Sequence, residues 1–376
     1  MTAPFMEQAA TAINEPITHV WRIEAWPPGA TEGIPLAVNN GTLTYDEAWA
    51  PHVQASLQCQ VPTDQATLDA LDPRTNCRIH IYLGYVYQRG TEDVHLIADL
   101  GLFARTVNRP QNTMDLSAMS DEIRLLSNAW LGGAQPPKTG AAEALVWTIN
   151  AGLDPINAGS IDTQIGTEVA ADQLTELAIG YGDSYGSLFT TIQDSTETWA
   201  YCPGAVAGHW VIRYRPTLAG RSAAQFTTGP GGNVFESEAD LSREDWHNAV
   251  LVRHRWKDTG GTDHEVRGIA VINSGAHGAV SVGRHVLTID RTTPTSQSAA
   301  DAAAAAKVRR TISRGRQFNV SVPAAYWVRP GHTVTIQLPT GPQERHLVAS
   351  VEFRFPSGDM SVRTRVPENV TITEGE

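Results

Sequence analysis

A change of hydrophobic period between residues 295 and 366 constrains this chain more than any other feature. Ala299-Ala300-Asp301-Ala302 continues through Ala306 into Lys307-Val308-Arg309-Arg310. Alanine loses no side-chain entropy in a helix, so this run favours helix before any packing helps. Thr295, Ser296 and Ser298 each offer a side-chain oxygen to the free amides at its start, and Gly315 is placed to end it in a left-handed conformation. Arg309, Arg310 and Arg314 fall in the last turns, where the helix dipole favours cations. Val308 and Ile312, four apart, mark a narrow apolar edge.

From Phe318 the period becomes two. Phe318, Val320 and Val322 alternate with polar residues; Val334, Ile336 and Leu338 follow Pro330-Gly331. Leu347 to Phe355 follows Gly341-Pro342, and Met360 to Val366 follows Ser357-Gly358-Asp359. The pattern predicts four half-buried strands in an antiparallel meander, with the helix beside them completing a small α+β module with one core.

The rest of the chain repeats this β-rich texture around a different middle. Alternation predicts strands at His19–Ala25, Ile34–Val38, Val53–Val61, Ile79–Leu83, Leu96–Val107 and Met114–Ala118. Asn39-Asn40-Gly41 reads as a hairpin turn, and Ser120 as the cap of a short helix with Ile123 and Leu126 facing in. Residues 1–16 read as an arm, and Gly132 to Pro137 as a linker. Beyond it, Thr139 caps a helix to Asn150, Gly152–Thr167 forms a loop, and a second helix starts near Asp183-Ser184 with Leu188, Ile192 and Thr196 inward. Trp199 to Tyr214 makes a hairpin, 229–245 a loop, and strands return at Val250–Trp256, Val266–Ile272 and Val286–Ile289. The expected units are therefore 1–130, 131–235 and 236–376, with no residue-level repeat between the first and the last.

Charge and cysteine content exclude several functions. A formal net charge of −12 argues against a protein that grips nucleic acid through phosphates, though an acidic wall suits a surface that DNA must slide past. Cys59, Cys77 and Cys202 are odd in number and widely spaced, which suggests buried thiols instead of zinc or a disulfide scaffold. No run of ~18 apolar residues predicts a membrane span, and the first residues lack the basic start and apolar stretch of a secretory signal. His247, His254, His264, His277 and His285 alternate with strand residues and lack the helical spacing of a metal pair.

One motif points to catalysis. Gly182-Asp183-Ser184-Tyr185-Gly186 matches the G-x-S-x-G nucleophile elbow, with Asp194, Asp240, His247 or His254 as conceivable partners. The βα alternation that sets such an elbow on a parallel sheet is missing, and Ser184 equally well caps the following helix. Arg309, Arg310, Arg314 and Arg316 could touch phosphate but also suit a helix end or an acidic neighbouring subunit. Of the ten Trp, Trp49, Trp130, Trp246 and Trp327 fall at turns or strand ends; Trp327-Val328-Arg329 is the pair most suited to an interface.

Two stretches carry a resemblance. Gly41-Thr-Leu-Thr-Tyr45-Asp-Glu-Ala-Trp49-Ala-Pro51-His-Val-Gln-Ala-Ser-Leu57 resembles the N-terminal segment of minor tail proteins of long-tailed, siphovirus-type phages, especially those of actinobacteria. Val328-Arg-Pro-Gly331-His-Thr-Val-Thr-Ile336, with Asp359-Met-Ser-Val362, resembles the closing barrel of tail-hub, or baseplate hub, proteins. The resemblance implies an α+β, mostly β fold: two tube-like antiparallel barrel or sandwich domains, 1–130 and 236–376, each with one helix, around an inserted α+β domain, 131–235. It implies a structural virion protein at the distal end of the tail: a homotrimer whose pseudo-sixfold ring joins the tail tube protein or distal tail protein to threefold tip proteins. A tape measure protein and tail fibre proteins are the other implied partners, with host attachment and genome ejection as the processes served. DNA would pass through the lumen without specific binding. No cofactor, metal or catalytic residue is implied. The alternatives are a serine hydrolase of the host envelope using Ser184 and a carbohydrate-binding tail-tip protein using exposed Trp.

Overall fold

The computed structural model describes residue 5 and residues 17–88, 90–156, 159–165, 174, 177–196, 198–241, 244, 246–258, 260–291, 295–313, 316–337, 343–366 and 372–374. The fold is α+β and mostly β. The first third carries β1 (Thr18–Trp26), β2 (Ile34–Pro35), β3 (Val38–Asp46), β4 (Val53–Gln60), β5 (Arg78–Val86), β6 (Glu92–Asn108) and β7 (Thr113–Met119). The middle carries β8 (Ser160–Thr163), β9 (Thr198–Tyr201), β10 (His209–Tyr214), β11 (Ser222–Thr227) and β12 (Glu236–Leu241). Then come β13 (Ala249–Lys257), β14 (Asp263–Ile272), β15 (Val286–Arg291), β16 (Arg316–Pro323), β17 (Thr333–Gln337), β18 (Gln343–Phe355), β19 (Asp359–Arg365) and β20 (Ile372–Glu374). The α-helices among the described residues are Gln65–Ala70, Glu122–Ser127, Ala141–Leu153, Tyr185–Thr196, Ala279–Val282 and Gln297–Ile312.

One 13-stranded sheet dominates, in the order β12-β16-β19-β18-β3-β4-β7-β6-β5-β1-β2, with β17 and β11 branching from β18. Alternate residues of its strands, such as Val53, Ala55, Leu57 and Cys59 on β4, point into one core, as a period of two requires. That core draws on both ends of the chain, from Ile23 to Ala118 and from Ala224 to Val362. The junction is the antiparallel pair β3–β18, where Leu43 faces Phe353 and Tyr45 faces Val351.

The helix Gln297–Ile312 forms as its alanines predict. Ser296 is the cap that accepts the Ala299 amide at 3.2 Å, and Arg309 and Arg310 occupy the last turn. Gly315 and Arg314 lie outside the described residues, as do the Gly341-Pro342 turn and Leu338. This alanine helix does not complete the core of the four strands that follow it, as the sequence suggests. Ala303, Ala304, Val308 and Ile312 pack with Val250, Val252, Ala270 and Ile272, on the separate sheet β15-β13-β14-β20. The helix can lie that low because Gly268 on β14 has no Cβ, which would sit 1.9 Å from the Ala300 carbonyl oxygen.

The four strands also pair differently from a meander. β16 lies beside β19, not β17, because Ala324–His332 crosses between them as a buried segment instead of a tight turn. β17 takes β18 on one side and runs parallel to β11 on the other. Asn39-Asn40-Gly41 is not a hairpin but part of β3: a bulge falls between Val38 and Asn40, and Asn40 bonds Gln58 across to β4. Gly41 is there for close approach, since its Cβ would meet the Phe355 ring at 2.4 Å.

A second core forms between the helices Ala141–Leu153 and Tyr185–Thr196 and the small sheet β8-β10-β9, around Leu145, Ile149, Phe189, Ile192 and Trp210. Leu188, Ile192 and Thr196 face inward as predicted. Three local readings change. Ser120 does not cap the short helix; its hydroxyl instead accepts the Val53 amide at 3.0 Å, and Leu125, not Leu126, is buried. Thr139 bonds the Glu143 carboxylate and not the helix backbone. The expected loops 152–167 and 229–245 contain β8 and β12, and the helix Gln65–Ala70 and strand β11 are additions. The Gly132–Pro137 stretch is fastened by Gln135, whose side chain bonds both the amide and the carbonyl of Ile179.

Candidate functional site

Ser184 sits at the start of the Tyr185–Thr196 helix, and its Oγ accepts the Ser187 amide at 3.1 Å. That is the geometry of an N-cap. The preceding residues are held as a loop: the Gly182 amide donates to the Trp130 carbonyl and the Tyr185 amide to the Asn128 carbonyl. Ala129 and Ser184 form a single antiparallel bridge, so the turn lacks the strand-to-helix setting of a nucleophile elbow. The structure uses its proposed partners elsewhere. Asp194, near the far end of the same helix, is clamped between Arg310 at 3.0 Å and Arg291 at 3.2 Å. His254 is buried on β13, and His247 stacks on His285 with ring centroids 4.8 Å apart. Asp240 lies on β12 opposite Gln317, with its side chain outside the described residues, as is that of Arg316.

All three cysteines are buried. Burial pushes the Cys59 thiol up to about 12, with Asp115 nearby adding to the effect, and the Cys77 thiol up to about 11. Of the tryptophans, Trp327 is core, its Nε1 donating to the Ala223 carbonyl at 2.8 Å. Arg329 lies 4.3 Å over the Tyr45 ring and donates to the Tyr326 and Val328 carbonyls. The pair suspected of touching another subunit therefore fastens the chain to itself. Trp246 is likewise buried, whereas Trp49 remains 45% exposed.

The structure assembles two polar clusters that the sequence does not announce. In the first, three carboxylates hold the loop before β10. Asp99 accepts the Ala207 amide, Asp121 accepts the Gly208 amide at 3.1 Å, and Glu122 accepts the Cys202 amide at 2.7 Å. Arg78 bridges Asp99 and Asp121 at 2.7 and 2.6 Å, and their charges raise its pKa despite burial. Burial pushes the Glu122 carboxyl up to about 7 against the pull of its hydrogen bonds. Asp121-Glu122 looks like the acidic first turn of a helix; only contacts about eighty residues away reveal the latch.

The second cluster lines a cavity of about 360 Å³ where the three cores meet. Arg215 enters from the end of β10, Arg310 from the alanine helix and Arg365 from β19, with Glu47, Asp194 and Trp49 among the other lining residues. Arg365 pairs with Glu47 at 2.8 Å and donates to the Pro216 carbonyl. Arg215 donates to the Glu47 carbonyl at 2.5 Å. Burial, with Arg310 nearby, brings its guanidinium down to about 9. Next to it, Arg213 lies 4.8 Å over the Trp199 ring, and Trp199 stacks on Tyr201 at 4.2 Å. His52, edge-on to Trp199, is held down to about 3 by burial and by these arginines. Arg213 and Arg215, at and just past the end of β10, and the Arg309-Arg310 pair in the last turn of the alanine helix are the sequence signals that mark parts of this cluster.

The ends of the large sheet form a third feature. Among the described residues β12 has one hydrogen-bonded neighbour, β16, and at the other end β1 is covered by β2 over only two register pairs. Phe235, just before β12, and Leu241, its last residue, are 64% and 76% exposed. An uncovered edge strand with large apolar neighbours is a template for another chain.

No family model and no curated protein matches the chain by sequence. Solved structures do match it. A tail protein from Neisseria meningitidis MC58 superposes with a TM-score of 0.63 at 11% identity, over 92% of this chain and 96% of its own. The 43 kDa tail protein of prophage MuSo2 from Shewanella oneidensis gives 0.58 at 12% identity, over 92% and 98%. A prophage tail protein from Listeria monocytogenes EGD-e gives 0.52 at 10% identity, over 92% and 94%. Each likeness spans nearly the whole of both chains, and this chain has the fold of these tail proteins.

Proposed function

We propose that the chain is a structural subunit of a phage tail, acting as the hub at its distal end. The observation that carries this reading is the 13-stranded sheet, in which β3 and β18 join the two β-rich parts side by side and β12, among the described residues, is paired on one side only. Two adjacent β units per chain are what a threefold assembly needs to present six similar units to a hexameric tube. The proposed units are 1–130 and 236–376 around 131–235, and the ring closes when the edge of one subunit meets the next. Its partners are the tail tube or distal tail protein on one side, tip or fibre proteins on the other, and the tape measure protein above the channel. The net charge of −12 suits a lumen that DNA crosses without sticking. The role is non-catalytic: Ser184 is engaged as a helix cap, and Ser184→Ala leaves assembly intact.

Native mass of the purified 40.6 kDa chain tests the proposal. A mass three times that of the chain, alone or on mixing with a tail tube or distal tail protein, supports it. A chain that stays monomeric under both conditions refutes it.

A further inference from the structure

The cavity where the three cores meet holds more positive charge than its own carboxylates offset. Among the described residues five cationic side chains line it against three carboxylates, in a chain whose total is strongly negative. The geometry leaves some of this charge unsatisfied. Arg215 Nε and Arg310 Nη2 are fully buried and have no acceptor among the described residues. Arg215 Nη1 donates to the Glu47 carbonyl, and Arg310 Nη1 to Asp194. A buried guanidinium N–H without an acceptor costs free energy and needs an explanation.

We propose that this cavity binds a small tetrahedral oxyanion: inorganic phosphate or the phosphate group of a small ester. Arg215, Arg310 and Arg365 approach from three separate elements, and each of the first two carries a buried N–H with no acceptor among the described residues. An acceptor with oxygens on every side matches that convergence better than a planar carboxylate, and arginine forks favour phosphate. The volume of about 360 Å³ lies within the ~300–1,000 Å³ of small-ligand pockets and leaves space for an ester's organic part beside Trp49 and Tyr214. An occupant would tie the alanine helix to the end of β10 and to β19, fixing the three cores to one another. The proposal does not depend on the tail-hub reading.

Thermal unfolding of the full chain, titrated separately with inorganic phosphate, glycerol phosphate, acetate and sodium chloride at matched ionic strength, tests it. The expected result is a saturable rise in melting temperature with phosphate or glycerol phosphate that acetate and chloride do not reproduce, and its loss in Arg310→Gln. Asp194 keeps Arg291 as a partner in that variant. The stronger of the two phosphate arms identifies free anion or ester as the ligand. Equal rises with chloride, or with acetate, overturn the proposal, as does a phosphate effect that survives in Arg310→Gln. Should the variant fail to fold, phosphate-soaked crystals of the unaltered chain decide: density within hydrogen-bond distance of the Arg215 and Arg310 guanidinium groups supports the site, and a cavity without it refutes it.

Discussion

Replacing Glu122 by Gln is expected to stabilise the protein at neutral and higher pH, by an amount that depends on pH in a defined way. Glu122 is 1% exposed; its Oε1 accepts the Cys202 amide at 2.7 Å, and its Oε2 is buried without a partner among the described residues. Burial moves its carboxyl from an ordinary 4.5 to about 7. Between those values the folded chain retains a proton that the unfolded chain has released, so this group's contribution to stability is complete below 4.5 and is lost as pH rises through 7. The gap corresponds to about 3 kcal/mol. Glutamine has the same shape, keeps a carbonyl oxygen for Cys202 and never ionises. Urea unfolding of both proteins at several values from about pH 5 to about pH 8 gives the difference between them, in which the histidine titrations cancel. That difference is expected to be under about 1 kcal/mol at the acid end and to grow towards about 3 kcal/mol in favour of Gln. A difference that is flat across the range refutes the claim that Glu122 is buried against the 202–208 loop.

Three further expectations follow from other parts of the fold. Phe235→Ser with Leu241→Ser removes exposed apolar surface beside the β12 edge, so the monomer's stability should move by no more than about 0.5 kcal/mol while association measured by native mass is lost; unchanged association refutes the role of that edge. Gly268→Ala drives a methyl into the Ala300 carbonyl at 1.9 Å and should cost about 1–3 kcal/mol by lifting the alanine helix, read as a lower unfolding midpoint; a neutral effect would mean the helix does not sit on β14. Ser184→Ala removes the bond to the Ser187 amide and should cost about 1 kcal/mol in chemical unfolding, without altering native mass; an assembly defect would give Ser184 a role beyond the cap.

Local physics made most elements legible and left their partners open. The alanine run declared its helix because propensity and caps act within a few residues, and the alternation of Val53 to Cys59 declared a strand because one face is buried. Neither signal says what lies across the interface. The alanine helix met β13 and β14 because Gly268 leaves room for it, a fact carried by one residue with several competing explanations. Asn39-Asn40-Gly41 has the composition of a turn, but the bulge and the Phe355 ring require the same small residues inside a strand. The carboxylate latch and the arginine cavity were not legible as assembled sites because each joins residues far apart in the chain, and charge spacing along the sequence does not register such meetings.

The β3–β18 pair also sets a schedule. Asp46 meets Arg363 at 2.7 Å and Glu47 meets Arg365 at 2.8 Å, across separations of 317 and 318 residues. During synthesis β3 leaves the ribosome with β4 to pair on one side, and on the other an edge that stays open until β18 is made. Translation at ~5–20 residues per second leaves that edge uncovered for tens of seconds, long enough for a crowded polysome to mispair it. A chain that stops short of β18 keeps the open edge permanently and lacks Val348, Val351, Phe353, Phe355, Met360 and Val362 from its largest core. Such a fragment would be a substrate for chaperones and proteases, so quality control is built into the strand order itself.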